Sequence, residues 1–280
     1  NNFPKVYHLL RSLLLVYLVN VVGNVGMIFL IIADTQLHTP MYFFLCNLSF
    51  LGLGYALAIT PRMLAGFLTK HKVIPFPGCA TQFSFFVGFV DAKCYVLAAV
   101  DYDSFVAICQ PLYYSTLMSN QVCLALMLAS YLAVLVSLVS HTSLTFSLSY
   151  CGSSIINHFC EISPLSTLFF SLCGFIEFST IFIIFILYAF ILIVIIRMHS
   201  DEGRLKVFST CGSYLTGVTL FYGTVVIMYL RPTSSYSLEQ DKWASVFHTI
   251  IMPMLNLLTY SLQNKDVKAA FKKPIRRKPQ

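Results

Sequence analysis

Charge is scarce in this 280-residue sequence: 10% of positions are Asp, Glu, Lys or Arg, against 58% that are apolar. Mean hydropathy is +0.78. A soluble domain of this length cannot hide so much apolar surface behind so thin a charged exterior. Strict alternation in segments of about 10 residues is also missing, which excludes a membrane β-barrel. Residues Asn1 to His8 hold no apolar core followed by a small-residue cleavage site, so the first apolar run is expected to act as the insertion signal. Internal repeats and broken helices with paired charges, the marks of a transporter, are not seen. No nucleophile–base pair is legible, and none of the nine cysteines has zinc-ligand spacing. Neither an enzyme, nor a metal site, nor a cofactor is expected.

What is there is a series of seven apolar runs, at about 12–33, 41–60, 80–108, 121–142, 168–197, 207–230 and 243–262. Runs of about 20 apolar residues match the ~30 Å of hydrocarbon in a bilayer. The expected fold class is therefore an all-α membrane protein, a seven-transmembrane helix bundle forming one domain over residues 1–280. Lys265, Lys268, Lys272, Lys273, Arg276, Arg277 and Lys278 crowd the tail, and Arg197, Arg204 and Lys206 flank the link between runs five and six. Seven spans put both regions on one side, and the positive-inside rule makes that side the cytosol, with the N-terminus extracellular. Val267, Ala270, Phe271 and Ile275 recur at helical spacing among the tail lysines, so 264–273 is expected to be a short amphipathic eighth helix on the membrane surface. The basic tail implies orientation and contact with anionic lipid, not nucleic-acid binding.

Several motifs fix a family. Leu37-His38-Thr39-Pro40-Met41-Tyr42-Phe43-Phe44-Leu45 lies between runs one and two. Leu97-Ala98-Ala99-Val100-Asp101-Tyr102-Asp103-Ser104-Phe105-Val106-Ala107-Ile108-Cys109 closes run three, followed by Pro111-Leu112-Tyr113-Tyr114. Lys206-Val207-Phe208-Ser209-Thr210-Cys211 opens run six, with Phe221-Tyr222-Gly223 inside it. Pro253-Met254-Leu255-Asn256-Leu257-Leu258-Thr259-Tyr260-Ser261-Leu262 fills run seven. Together with Gly23-Asn24 in run one, these strings resemble, in order, the motifs of the olfactory receptors, a branch of the rhodopsin-like (class A) G-protein-coupled receptors.

The resemblance implies an odorant receptor at the plasma membrane, with a small hydrophobic odorant and a heterotrimeric G protein of the stimulatory, cAMP-raising type as partners. It places ligand contacts at Phe86, Val87, Val90, Asp91, Val225, Val226 and Tyr229, an apolar cavity suited to small volatile organics. It places activation and G-protein contacts at Asp103, Ser104, Tyr188, Tyr222, Asn256 and Tyr260, and a polar hub at Asn24, Gly52 and Lys93. It also implies a Cys79–Cys160 disulfide between extracellular segments, with Cys151 left over. Cys46, Cys94, Cys109, Cys123 and Cys211 are expected to be small apolar fillers.

Four places depart from the family pattern. Gly52 stands where it has Asp, Lys93 where it has Glu, Ser104 where it has the helix-three Arg, and Leu257 where it has the Pro of the helix-seven motif. Reading back from Tyr188 through Gly174-Phe175 without a gap implies a deletion of roughly ten residues before run five, which brings Cys173 into that helix. Lys93 has two readings, a tethered cation in place of a bound sodium ion or a neutral amine, since burial disfavours its charged form. The departures support an alternative: a receptor-like, signalling-impaired or decayed member of the family.

Overall fold

The computed structural model describes residues 3–68, 73–147, 155–157, 167–198 and 200–229. Its elements, in chain order, are α1 (Phe3–Ala33), α2 (Pro40–Leu68), β1 (Val73–Pro75), α3 (Phe76–Cys109), a one-turn α4 (Tyr114–Leu117), α5 (Asn120–Ser147), β2 (Ile155–Asn157), α6 (Thr167–Arg197) and α7 (Asp201–Tyr229). Runs one to three are thus α1 to α3, and runs four, five and six are α5, α6 and α7. Run seven and the expected eighth helix lie outside the described residues.

The long helices follow from composition: every backbone polar group in hydrocarbon must be satisfied within its own segment, which a helix achieves. Arg11–Ala33, Pro40–Ala58, Asn120–Ser143 and Gly174–Arg197 are each long and apolar enough to cross a membrane. Their outward faces carry exposed Val22, Leu132, Val136, Phe185 and Ile196, an arrangement that suits contact with lipid chains. Pro40 opens α2 at its first helical position, where a missing N–H costs nothing. Before it, a 3-10 turn over Thr35–Leu37 is capped by the Asp34 carboxylate, which accepts from the Gln36 N–H at 3.0 Å. That turn buries Leu37 in the core, so the signature string of the first loop begins with an anchor. α2 continues past Pro61 to Leu68.

One feature was beyond hydropathy. β1 and β2 form an antiparallel ribbon, pairing Val73 with Asn157, Ile74 with Ile156 and Pro75 with Ile155. It ties the segment before α3 to the segment between α5 and α6.

The centre of the bundle is α3, which packs against α2, α5, α6 and α7, while α1 packs on α2. This explains how α3 can carry charge in the middle of an apolar bundle. Asp91, Lys93, Asp101 and Asp103 are all buried, facing protein, where each can find a partner, and not lipid. Cys94, Cys123 and Cys211 fill small gaps in this core as free thiols.

Candidate functional site

The site residues are arranged along α3. In its N-terminal half, Val87 and Val90 are buried, and the Phe86 ring tilts against Tyr55 of α2 with centroids 5.7 Å apart. Asp91 turns to α5, where its carboxylate accepts from Ser137 Oγ at 2.5 Å. Ser137 Oγ is also 3.0 Å from His141 Nδ1, one turn further along α5. Lys93, two residues on, points to a different neighbour: its Nζ lies 4.3 Å from the centroid of the Tyr55 ring on α2. Two residues on a helix are about 200° apart, so these side chains serve separate helix contacts instead of pairing. The aromatic face gives the amine an electrostatic partner in place of a carboxylate.

At mid-depth, Tyr222 of α7 donates from its hydroxyl to Thr180 Oγ1 of α6 at 2.9 Å. Thr180 Oγ1 in turn donates back to the Ile176 and Glu177 carbonyls. The Cys94 thiol of α3 adjoins both hydroxyls, so three helices meet at this point.

Toward the C-terminal end of α3, Tyr188 Oη of α6 donates to Asp101 Oδ1 at 3.0 Å. Asp101 is 1% exposed, and its second oxygen has no hydrogen-bond partner among the described residues. Two residues on, Asp103 accepts from Tyr114 Oη of α4 at 2.8 Å. Tyr114 lies outside the spans, and burial, then the nearby Asp103 charge, pushes its phenol above the usual range. Ser104 Oγ donates to the Val100 carbonyl of its own helix at 3.1 Å. A serine hydroxyl in this state has its one donor committed to its own helix.

The hub on α1 and α2 is equally self-contained. Asn24 Nδ2 donates to the Asn20 carbonyl at 2.8 Å and to Asn20 Oδ1 at 2.6 Å. A Cβ on Gly52 would lie 3.1 Å from Asn24 Oδ1, so the Asn24 amide already occupies the approach to that position. On the same helix, Asn47 of the Asn47-Leu48-Ser49 sequon donates to the Phe43 carbonyl at 2.9 Å and accepts from Tyr131 Oη of α5 at 3.2 Å. Its amide is a link between α2 and α5.

Val225, Val226 and Tyr229 lie on α7, but their side chains are outside the described residues, as is that of Cys79 in the first turn of α3. Cys160, Asn256 and Tyr260 are wholly outside them. A cavity of about 650 Å³ opens between α2 and α3, lined by residues that include Leu57, Gln82, Phe85 and Phe89. Phe86, Val87, Val90 and Asp91 are not among its described lining residues. Among the described residues, no three His, Cys, Asp or Glu side chains gather closely enough to hold a metal.

Reading the sequence missed Tyr55, Ser137, His141, Thr180 and Glu177. The signal for Glu177 was present: it is the one acid in Gly174–Arg197, the most apolar of the four spanning stretches. An ionisable residue in such a stretch is a functional candidate by default.

The comparisons with known proteins agree with this architecture. The family model described as "Olfactory receptor" matches residues 13–278. Olfactory receptor 5AR1 of Mus musculus is 77% identical over 279 residues, covering 95% of this chain and 90% of the relative. Olfactory receptor 5AR1 of Homo sapiens is 75% identical with the same coverage, and olfactory receptor 5B12 of Homo sapiens is 49% identical over 94% of this chain and 87% of its own length. The class is thereby shown: a multi-pass helical membrane receptor of the rhodopsin-like, G-protein-coupled type, and not an enzyme. Within that class, the chain belongs to the olfactory receptor family.

Proposed function

We propose that this receptor detects small volatile organic molecules at the plasma membrane and passes the signal to a stimulatory, cAMP-raising heterotrimeric G protein. Its N-terminus faces outward and its C-terminus the cytosol. The ligand lies among Phe86, Val87, Val90, Asp91, Val225, Val226 and Tyr229, and a Cys79–Cys160 disulfide holds the extracellular segments. The observation that carries this reading is the pair of hydroxyl contacts from Tyr222 to Thr180 and from Tyr188 to Asp101. Each joins two helices through one exchangeable hydrogen bond, which suits an equilibrium between two helix arrangements that a ligand can shift. Asp103, Asn256 and Tyr260 complete the cytosolic switch in this scheme.

A second reading, a family member impaired in signalling, is favoured by Ser104. Its hydroxyl is spent on the Val100 carbonyl, where an arginine would present a planar, multi-donor cation. A cAMP reporter assay with surface staining separates the two. The unmodified chain and Ser104→Arg are tested against a broad odorant panel at matched surface levels. Robust responses from the unmodified chain remove the impaired reading. Responses only from Ser104→Arg establish it, and silence from both, with normal surface staining, counts against the receptor proposal.

A further inference from the structure

The cavity of about 650 Å³ between α2 and α3 has no part in the receptor mechanism proposed above, yet its lining is ordered. On α3 it is lined by Thr81, Gln82, Phe85 and Phe89, which share one helical face about 12 Å long. On α2 it is lined by Gly54, Leu57 and Ala58. Ala58 closes the apolar stretch Pro40–Ala58, so the cavity lies near one boundary of the membrane. Its polar groups sit together, in the Thr81 hydroxyl and the Gln82 amide. Further along α3, Phe85 and Phe89 stack with centroids 6.4 Å apart and rings 24° from parallel, which makes one flat aromatic wall. Phe89 rests directly on α2, since a Cβ on Gly54 would come within 2.6 Å of its ring. Leu57 and Phe85 are 50% and 53% exposed, so the cavity opens on the outer surface of the bundle.

A mostly apolar cavity of this size, with a few convergent polar groups, is the form that small-molecule sites take. Its lining also selects the ligand. None of the described lining residues is charged, so an ammonium, carboxylate or phosphate group would enter it unpaired. A flat aromatic wall packs closely against a rigid ring system, whereas a flexible chain would lose rotamer freedom in following it. The Gln82 amide offers both a donor and an acceptor, the two roles that match a hydroxyl. Among the described residues, no hydrogen bond reaches that amide. We propose that the α2–α3 cavity binds a neutral, ring-bearing hydrophobe with one hydroxyl group, its rings against Phe85 and Phe89 and its hydroxyl at Gln82. Two sources supply this chemistry: a sterol of the surrounding bilayer and a cyclic alcohol arriving from outside it. The site is separate from the odorant contacts proposed above, because Phe86, Val87, Val90 and Asp91 are not among its described lining residues.

The test uses the full chain in sterol-free lipid nanodiscs and measures equilibrium binding directly, so it does not depend on G-protein coupling. The probes are two matched pairs, cholesterol with cholestane and menthol with p-menthane, in which the second member lacks the hydroxyl. Menthylamine is the charged control. Each is titrated against the wild type, Gln82→Leu and Leu57→Trp. The wild type should bind at least one alcohol about two- to tenfold more tightly than its hydrocarbon, the worth of one neutral hydrogen bond. Gln82→Leu should erase that preference and leave hydrocarbon binding unchanged. Leu57→Trp, which fills the mouth of the cavity from its exposed rim, should weaken alcohol and hydrocarbon alike. A preference seen with cholesterol alone identifies the bilayer as the source, and one seen with menthol alone identifies the outside. If Gln82→Leu does not fold, loss of alcohol binding in Leu57→Trp serves as the supporting result. Equal binding of alcohol and hydrocarbon by the wild type overturns the inference, as does tighter binding of menthylamine than of menthol. Alcohol binding that survives both substitutions also overturns it, because the ligand then sits elsewhere. Failure of every probe to bind folded receptor overturns it too, while leaving the odorant proposal intact.

Discussion

The link between Tyr188 and Asp101 gives a sharp test of how this bundle is held together. Tyr188→Phe removes the donor at 3.0 Å while leaving the ring to pack. Asp101 then has neither oxygen hydrogen-bonded by a described residue, because the other already lacks a partner. Interhelical hydrogen bonds in membrane proteins average about 0.6 kcal/mol and reach about 1.7. Leaving a buried polar group unpaired costs about 1–3 kcal/mol. With Asp101 at 1% exposure, the upper part of the first range applies, and Tyr188→Phe should destabilise the receptor by about 1.5–2 kcal/mol. At about 2–4 °C per kcal/mol, the apparent Tm of purified receptor should fall by roughly 3–8 °C. Asp101→Ala should cost less, since it deletes the acid together with the penalty of burying it. The double variant should be more stable than Tyr188→Phe alone, giving a coupling energy of about 1 kcal/mol or more. Thermal denaturation of all four proteins in one detergent measures this cycle. Strict additivity of the two single effects would refute the argument, because it would mean that the two side chains do not depend on one another.

Other perturbations probe separate contacts. Tyr55→Leu should lower Tm more than Tyr55→Phe, because only the leucine removes the aromatic face beneath the Lys93 amine, a contact worth about 0.5–2 kcal/mol where the amine is protonated; equal losses would show that Lys93 draws no stability from the ring. Gly54→Val should destabilise by about 1–3 kcal/mol, since a Cβ there would sit 2.6 Å from the Phe89 ring and force it off its stacking on Phe85; an unchanged Tm would show that the ring moves freely into the neighbouring cavity. Peptide mapping without reduction should recover Cys79 linked to Cys160, and a Cys151–Cys173 product would instead place the inferred deletion wrongly. Ser104→Arg combined with Lys93→Glu and Gly52→Asp should raise cAMP output above Ser104→Arg alone, provided that Asn24 yields the space it now holds beside Gly52; equal output would mean that the polar hub does not limit signalling.

Composition and motif order were enough to settle some matters without coordinates. With 58% apolar and 10% charged residues, the chain had to be a membrane protein built of helices, because hydrocarbon permits few other ways to satisfy a backbone. The strings around Pro40, Asp103, Cys211 and Tyr260 carried the family. What remained hidden was direction. In a water-soluble helix the polar face marks the outside, but lipid-facing residues of a membrane helix are as apolar as buried ones, so hydropathy does not say which face of α5 or α6 turns inward. Pairings set by that choice were therefore illegible in the sequence: Asp91 with Ser137, 46 residues away, and Asp101 with Tyr188, 87 residues away. Substitutions were visible but their consequences were not. Gly52 and Ser104 could be read as losses, yet only packing revealed that Asn24 fills the approach to one and that the other bonds to its own helix. Glu177 stood in plain view as a single acid in an apolar run, and it took the tertiary structure to bury it one turn before Thr180 on α6. The sequence alone determined the class, the family and the helical scaffold, because those depend on what each segment is made of; which buried charges are satisfied and which are left waiting was decided only by tertiary structure, because that depends on how the helices are turned.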